Sequence, residues 1–124
     1  MQDYTLVTRH TVLARDLNVH SKLYGGIILG WLDEAGYIFA VRECKCTNLV
    51  TVAMNNVVFE SPANLGDIIE IYARLIKIGN SSITLKILAK NFSVCEGCKN
   101  RKIIECEIVF VKVDCEGKPQ LINL

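Results

Sequence analysis

Between Leu23 and Tyr37 the chain reads LYGGIILGWLDEAGY, a helical pattern that is apolar almost all the way round. It is entered through Gly25-Gly26 and carries the acid Asp33 well inside it. An ionised carboxylate drawn out of water is costly, so such an acid either pairs with a partner or works as a base or nucleophile. In a lone sequence the paired or solvated acid is the commoner case. Glu34, one residue on, points about 100° round the helix and faces elsewhere. The glycine pair carries chemistry too. A helix N-terminus presents free backbone N–H groups and the positive end of the helix dipole, and glycine lets a ligand carbonyl approach closely. The plainer reading, a tight bend from loop into helix, uses the same two residues.

The second group of reactive side chains is six cysteines: Cys44, Cys46, Cys95, Cys98, Cys106 and Cys115. Cys95-Glu-Gly-Cys98 has zinc-knuckle spacing, but one such pair is half a site, and Cys44-Lys-Cys46 is spaced too closely to supply the other half. No cationic segment followed by an apolar core opens the chain, so reduced thiols in a cytoplasmic protein are the expectation, with no metal. No Ser or Cys lies in a nucleophile-elbow context such as G-x-S-x-G.

The elements that must position these residues follow from composition and periodicity. A chain of 124 residues, 51% hydrophobic and 22% charged, is long enough for one hydrophobic core, so residues 1–124 are read as a single domain. A net charge of +1 offers no footprint for nucleic acid, and no apolar run reaches the ~18 residues of a membrane span. Leu6 to Leu13 reads as a strand, and the helix runs from about Gly25 to Arg42. Leu49 to Phe59 is rich in β-branched residues and stops before Ser61-Pro62. Ile68 to Ile78 alternates, with Ile69, Ile71, Ala73 and Leu75 on one face and Glu70, Tyr72 and Arg74 on the other. Gly79-Asn80 then turns the chain into Ile83 to Phe92. Glu96-Gly97 turns it again into the last strand, Ile103 to Val113. One helix that is apolar all round can hide beside a single sheet only if the sheet curls about it. The expected fold is therefore α+β, a hotdog: an antiparallel sheet of about five strands wrapped around one long central helix. Its open edge strands invite a second copy.

Several ordered segments resemble one family. Asn18-Val-His-Ser-Lys-Leu-Tyr-Gly-Gly, then Asp33 and Ala35-Gly36, is similar to the signature of hotdog acyl-CoA thioesterases of the YciA and cytosolic acyl-CoA hydrolase type. Val50-Thr51-Val52-Ala53, Phe59-Glu-Ser-Pro62, Leu65-Gly66-Asp67, Ile78-Gly-Asn-Ser-Ser-Ile83 and Val113-Asp-Cys-Glu-Gly-Lys-Pro119 extend the likeness over nearly the whole chain. Ser21 stands where the family usually has glycine, and Asn80 where a bulkier polar or cationic residue is common.

The resemblance implies hydrolysis of an acyl-CoA thioester, with coenzyme A as part of the substrate and no separate cofactor. Asp33 would act as general base or as nucleophile. Gly25 or Gly26 would donate the oxyanion contact, Asn18 would donate to the carbonyl or place water, and Thr51 would touch that water. Ser61 and the turn Gly79, Asn80, Ser81, Ser82 would hold coenzyme A; Lys77 and Lys90 could meet its phosphates by residue type alone, although a lysine on a strand edge usually serves solvation. His20 is read as a loop residue near the mouth of the site. Two other functions suit a hotdog domain: an acyl-CoA-binding sensor without turnover, and a hydroxyacyl-thioester dehydratase. The dehydratase needs a histidine facing the helix acid in a loop unlike His20-Ser-Lys-Leu-Tyr-Gly. Along a straight helix Gly25 and Asp33 are about 12 Å apart, too far for one thioester carbonyl. The expected unit is thus a homodimer, each site joining Asp33 of one chain to Asn18 and Gly25 of the other, with a trimer of dimers as the larger assembly. No nucleic-acid or membrane partner is expected.

Overall fold

The structure is a computed structural model that describes residues 3–93 and 100–124. β1 (Thr5–Thr11) leads through a short 3-10 turn, Ala14–Asp16, into α1 (Gly25–Cys44). β2 (Leu49–Phe59), β3 (Ile68–Ile78), β4 (Ser82–Phe92) and β5 (Lys102–Lys112) complete one antiparallel sheet in the order β1-β3-β4-β5-β2. The hotdog arrangement expected from the apolar helix is the one observed.

α1 turns Ile28, Leu32, Ala35, Phe39 and Ala40 onto the sheet, where they meet the inward residues of β3, β4 and β5, among them Ile71, Leu85, Ile87, Ile108 and Phe110. Spacings of three and four keep those positions on one side of the helix. Gly36 lets the helix settle: a Cβ there would stand 3.2 Å from the Phe110 ring and 3.3 Å from Ile108. The helix stops at Lys45, whose φ of 56° is left-handed and whose N–H bonds back to Val41.

The alternation is as read. Leu75 pairs with buried Leu85 and so keeps the face of Ile69, Ile71 and Ala73, although it is itself more exposed; a bulge follows it, between Leu75 and Lys77. β2 is an edge strand with irregular pairing to β5 between Thr51 and Ala53 and between Asn55 and Val58. Val50, Val52, Val57, Val58 and Phe59 on it are exposed. The Cys95–Cys98 pair and the Glu96-Gly97 turn lie outside the described residues.

Candidate active site

The loop before α1 is built by side chains that cap backbone. Asp16, buried, accepts the Leu13 N–H at 2.9 Å, and its own carbonyl accepts the Tyr24 N–H at 2.8 Å. Asn18 Oδ1 accepts the N–H groups of His20 (2.8 Å) and Lys22 (3.2 Å), an Asx-type turn that fixes the loop. Ser21 in that turn has φ 59°, the left-handed conformation glycine adopts freely. Glycine, which the resemblance leads one to expect there, would adopt it without strain. The segment after β2 holds the loop from outside: Leu23 N–H bonds to Ala63, and Lys22 Nζ donates to Asn64 Oδ1 at 2.6 Å.

Tyr24 is the residue before the helix and caps nothing with its side chain. The N–H groups of Gly25 and Gly26 have no acceptor among the described residues, and neither has Asn18 Nδ2. An open cleft of about 430 Å³ lies against this helix end. Asn18, His20, Gly25 and Ser61 line it, so the structure brings four residues singled out in the sequence to one place. Gly26 is exposed beside it and packs near Tyr24. Ser61 is less free than expected, because its hydroxyl donates to the Lys102 carbonyl at 2.7 Å.

Asp33 is elsewhere. Two turns along α1 and half-buried, it accepts a 2.6 Å hydrogen bond from the Thr51 hydroxyl on β2. The carboxylate in the apolar helix thus has a partner, and one the spacing of the chain did not reveal. Oδ1 is bound by Thr51 and Oδ2 has no partner among the described residues. Glu34 is exposed, as its angle on the helix required.

The sheet register sorts every candidate to one of two ends. Thr51 pairs with Phe110, Phe110 with Ile83, and Ser82 with Val111 in the adjoining row. Asp33, Thr51 and the Gly79–Ser82 turn therefore share one end. Gly79 closes the turn: its N–H bonds to the Ser82 carbonyl, and a Cβ there would stand 2.9 Å from Ser82 Oγ, which would have to swing aside. At the other end Phe59 pairs with Ile104, Ser61 N–H bonds to Ile103, and the cleft with Asn18 and Gly25 opens. One chain does not unite Ser61 with the Gly79–Ser82 turn, nor Asp33 with Asn18 and Gly25.

Some cleft residues were not singled out in advance. Lys22, Leu23, Ile28 and Phe59 line it. The available signal was Leu23 directly before the glycine pair and Phe59 ending β2 before Ser61-Pro62. Among the described residues the thiols take no part in either cluster. Burial raises the Cys44 pKa and pushes Cys106 up to about 11, with Glu107 and Glu105 adding to the latter, while Cys115 is exposed. Among the described residues no group of three or more His, Cys, Asp or Glu side chains stands ready to hold a metal ion, and no helix is long and apolar enough to cross a membrane.

A sheet curled round one helix, with an uncapped glycine N-terminus at one end and a helix acid at the other, defines a class. The chain belongs to the thioesterase superfamily, whose family model matches residues 20–95. Among its relatives, the acyl-CoA thioester hydrolase YciA of Salmonella typhimurium is 32% identical over 118 residues, 93% of this chain and 87% of that protein. A hexameric thioesterase from Yersinia pestis superposes with a TM-score of 0.89 at 31% identity, covering 97% of this chain and 96% of its own. An acyl-CoA hydrolase from Staphylococcus aureus, in complex with butyryl coenzyme A, coenzyme A and coenzyme A disulfide, superposes at 0.84 with 27% identity, covering 96% and 70%. The Staphylococcus protein is also known as single alanine mutants of an asparagine, an aspartate and a threonine.

Proposed function

We propose that the chain is an acyl-CoA thioester hydrolase whose active sites are each shared by two copies. The observation that carries this is the separation of its own groups. The free donors of Gly25, Gly26 and Asn18 stand at one end of the sheet, and Asp33 with Thr51 stands at the other. Neither end is a complete hydrolase. β2 touches both: Thr51 near its start reaches Asp33, and Phe59 at its end lies against Gly25. An antiparallel pairing of two β2 edges centred on Asn55 sets Thr51 of one chain opposite Phe59 of the other. The acid end of each then meets the donor end of its partner, twice, as an isologous contact requires. The exposed valines of β2 are what such a pairing would cover.

In that site the thioester carbonyl oxygen accepts from the Gly25 or Gly26 N–H and from Asn18 Nδ2. Donors fixed before the reaction are worth about 3 kcal/mol each to the developing oxyanion. Thr51 ties Asp33 Oδ1 and leaves Oδ2 to react. As general base, Oδ2 takes a proton from water as its oxygen adds to the carbonyl carbon. Collapse then breaks the C–S bond, and the departing coenzyme A thiolate recovers the proton. As nucleophile, Oδ2 would itself form an acyl anhydride that water then opens. Single turnover in ¹⁸O-water separates the two, since only the anhydride route can leave label in Asp33. The Ser61 backbone end and the Gly79–Ser82 turn, brought together from two chains, are the coenzyme A contacts of this reading.

The Salmonella and Staphylococcus relatives are named for this reaction, and the residue types replaced in the Staphylococcus variants occur here as Asn18, Asp33 and Thr51. The Yersinia relative is hexameric, which supports a trimer of the proposed dimers. A rodent relative named cytosolic supports a cytoplasmic setting. The test is direct: incubate the protein with acyl-CoAs of several lengths and measure free coenzyme A thiol. Release of thiol that depends on Asp33 supports the reading. A protein that binds acyl-CoA without releasing thiol would be a sensor instead.

A further inference from the structure

The cleft at the donor end has a shape that bears on which acyl groups can react. Its floor is core: Leu23, Ile28, Ala63 and Ile103 are all buried, and they close it from below. Its side wall is the Phe59 ring. A Cβ built on Gly25 would meet Phe59 Cε1 and Cζ at 3.4 Å, ordinary van der Waals contact. The gap between the first turn of α1 and the ring is therefore one carbon thick, and Gly25, having no side chain, leaves it open. The backbone of Phe59 is held by its pairing with Ile104 and by the bond from Glu60 N–H to the Ile103 carbonyl, so the wall yields only by turning the ring about its own side-chain bonds.

We infer that Phe59 is a specificity-determining residue that admits unbranched acyl chains and rejects branching beside the thioester carbonyl. The inference rests on the thioesterase reading above. A carbonyl that accepts the Gly25 N–H places its α-carbon at the mouth of the gap. A methylene there fills a space one carbon thick. A second carbon on the same atom overlaps the ring. Interiors tolerate a misfit of even one methylene poorly, and one such group in an apolar slot separates substrates by roughly ten- to two-hundredfold. The other half of the Phe59 ring is open, 56% of the residue being exposed. In the proposed dimer that side faces the partner's acid end, so the ring stands beside the reacting atoms without donating or accepting anything.

The experiment compares butanoyl-CoA with 2-methylpropanoyl-CoA, which differ only in where one carbon sits, on wild type and on Phe59→Ala and Phe59→Leu. The readout is the ratio of kcat/KM for the two substrates within each preparation, so the amount of assembled enzyme cancels. Wild type is expected to prefer the linear substrate by roughly tenfold or more. Phe59→Ala is expected to bring the ratio to within about threefold, chiefly by gaining on the branched substrate, with Phe59→Leu between them. Circular dichroism melting and the solution mass establish that each variant is folded and assembled, and Phe59→Leu carries the test if the alanine variant is not. A wild-type ratio near one, or an unaltered ratio in a folded variant, overturns this inference and leaves the thioesterase reading standing. Loss of both activities in a folded, assembled variant also overturns it, because Phe59 would then be part of the machinery. Turnover of no acyl-CoA by wild type overturns the thioesterase reading and this inference together.

Discussion

The two ends of the sheet, one at the start of α1 and one beside its middle, carry opposite chemistry and are built in opposite ways. The donor end presents backbone: free N–H groups at Gly25 and Gly26, beside the Asn18 amide, on a loop whose N–H groups are accepted by the Asp16 and Asn18 side chains and by the Asp16 and Ala63 carbonyls. The acid end is made of side chains: one carboxylate from the helix and one hydroxyl from β2, 2.6 Å apart. Backbone donors survive most substitutions around them, whereas a side-chain pair is lost with either member. The acid end should therefore be sensitive to single changes of residue type, and the donor end to loss of the Asn18 amide and otherwise to changes of loop conformation.

The largest effect expected from that contrast is at Asp33. Asp33→Asn should lower turnover by roughly 10²-fold or more with the fold intact, because it keeps the shape and removes the base. Turnover within a few-fold of wild type in a thiol-release assay would remove Asp33 from the chemistry. Glu34→Gln, exposed one residue on, is the matched control and should change little.

Thr51 sharpens the same contrast at smaller scale. Thr51→Val removes a hydrogen bond to a charged group, worth about 1.5 kcal/mol or slightly more, so kcat should fall roughly tenfold. Thr51→Ser restores the hydroxyl and should recover most of the loss. Equal damage from valine and serine would mean that Thr51 serves strand packing only.

His10 gives a pH signature that belongs to the scaffold between the two ends. Its ring stacks on Trp31 of α1 at 4.4 Å, and its Nε2 is buried without a hydrogen-bond partner. Burial lowers its pKa from the ordinary value near 6.5, against the opposing pull of Glu34 and Asp16. The unfolded chain then takes up a proton that the folded chain resists, so stability is lost as pH falls below about 6.5 and levels off below the folded pKa. Thermal melts between pH 7 and 5 should show this decline, and His10→Gln should make it shallower. An identical decline in the variant would assign it to other groups.

The smallest effect tests the donor end by conformation. Ser21→Gly relieves a left-handed residue in the Asn18 turn and should stabilise the fold by about 0.5–1 kcal/mol, with little change in kcat. A lower melting temperature would show that the turn holds its shape at no cost.

The helix and the strand order were legible in the chain because apolar periodicity reports burial directly. Asp33 and the glycine pair stood out as unusual residue types at unusual places, whereas Asn18 was singled out only by the family resemblance. What the chain could not disclose depends on how elements meet. The Thr51–Asp33 bond joins residues from the helix and an edge strand, and local pattern did not name that partner. The bulge in β3 between Leu75 and Lys77 is likewise not encoded by alternation alone. Ser61 and the Gly79–Ser82 turn looked like one coenzyme A surface until the β4–β5 register put them at opposite ends of the sheet. Phe59 read as the end of a strand; only the approach of β2 to α1 makes it the neighbour of Gly25.

The shared site is most directly tested by mixing two dead chains. Asn18→Ala protein and Asp33→Asn protein, each inactive alone, are coexpressed or refolded together, and mixed dimers are confirmed by mass. In a shared-site dimer half of the random pairs are mixed, and each mixed pair rebuilds one intact site of two. Activity is therefore predicted to return to roughly a quarter of wild type. A site contained within one chain predicts no recovery, since every chain carries a defect, and no recovery in confirmed mixed dimers would contradict the account.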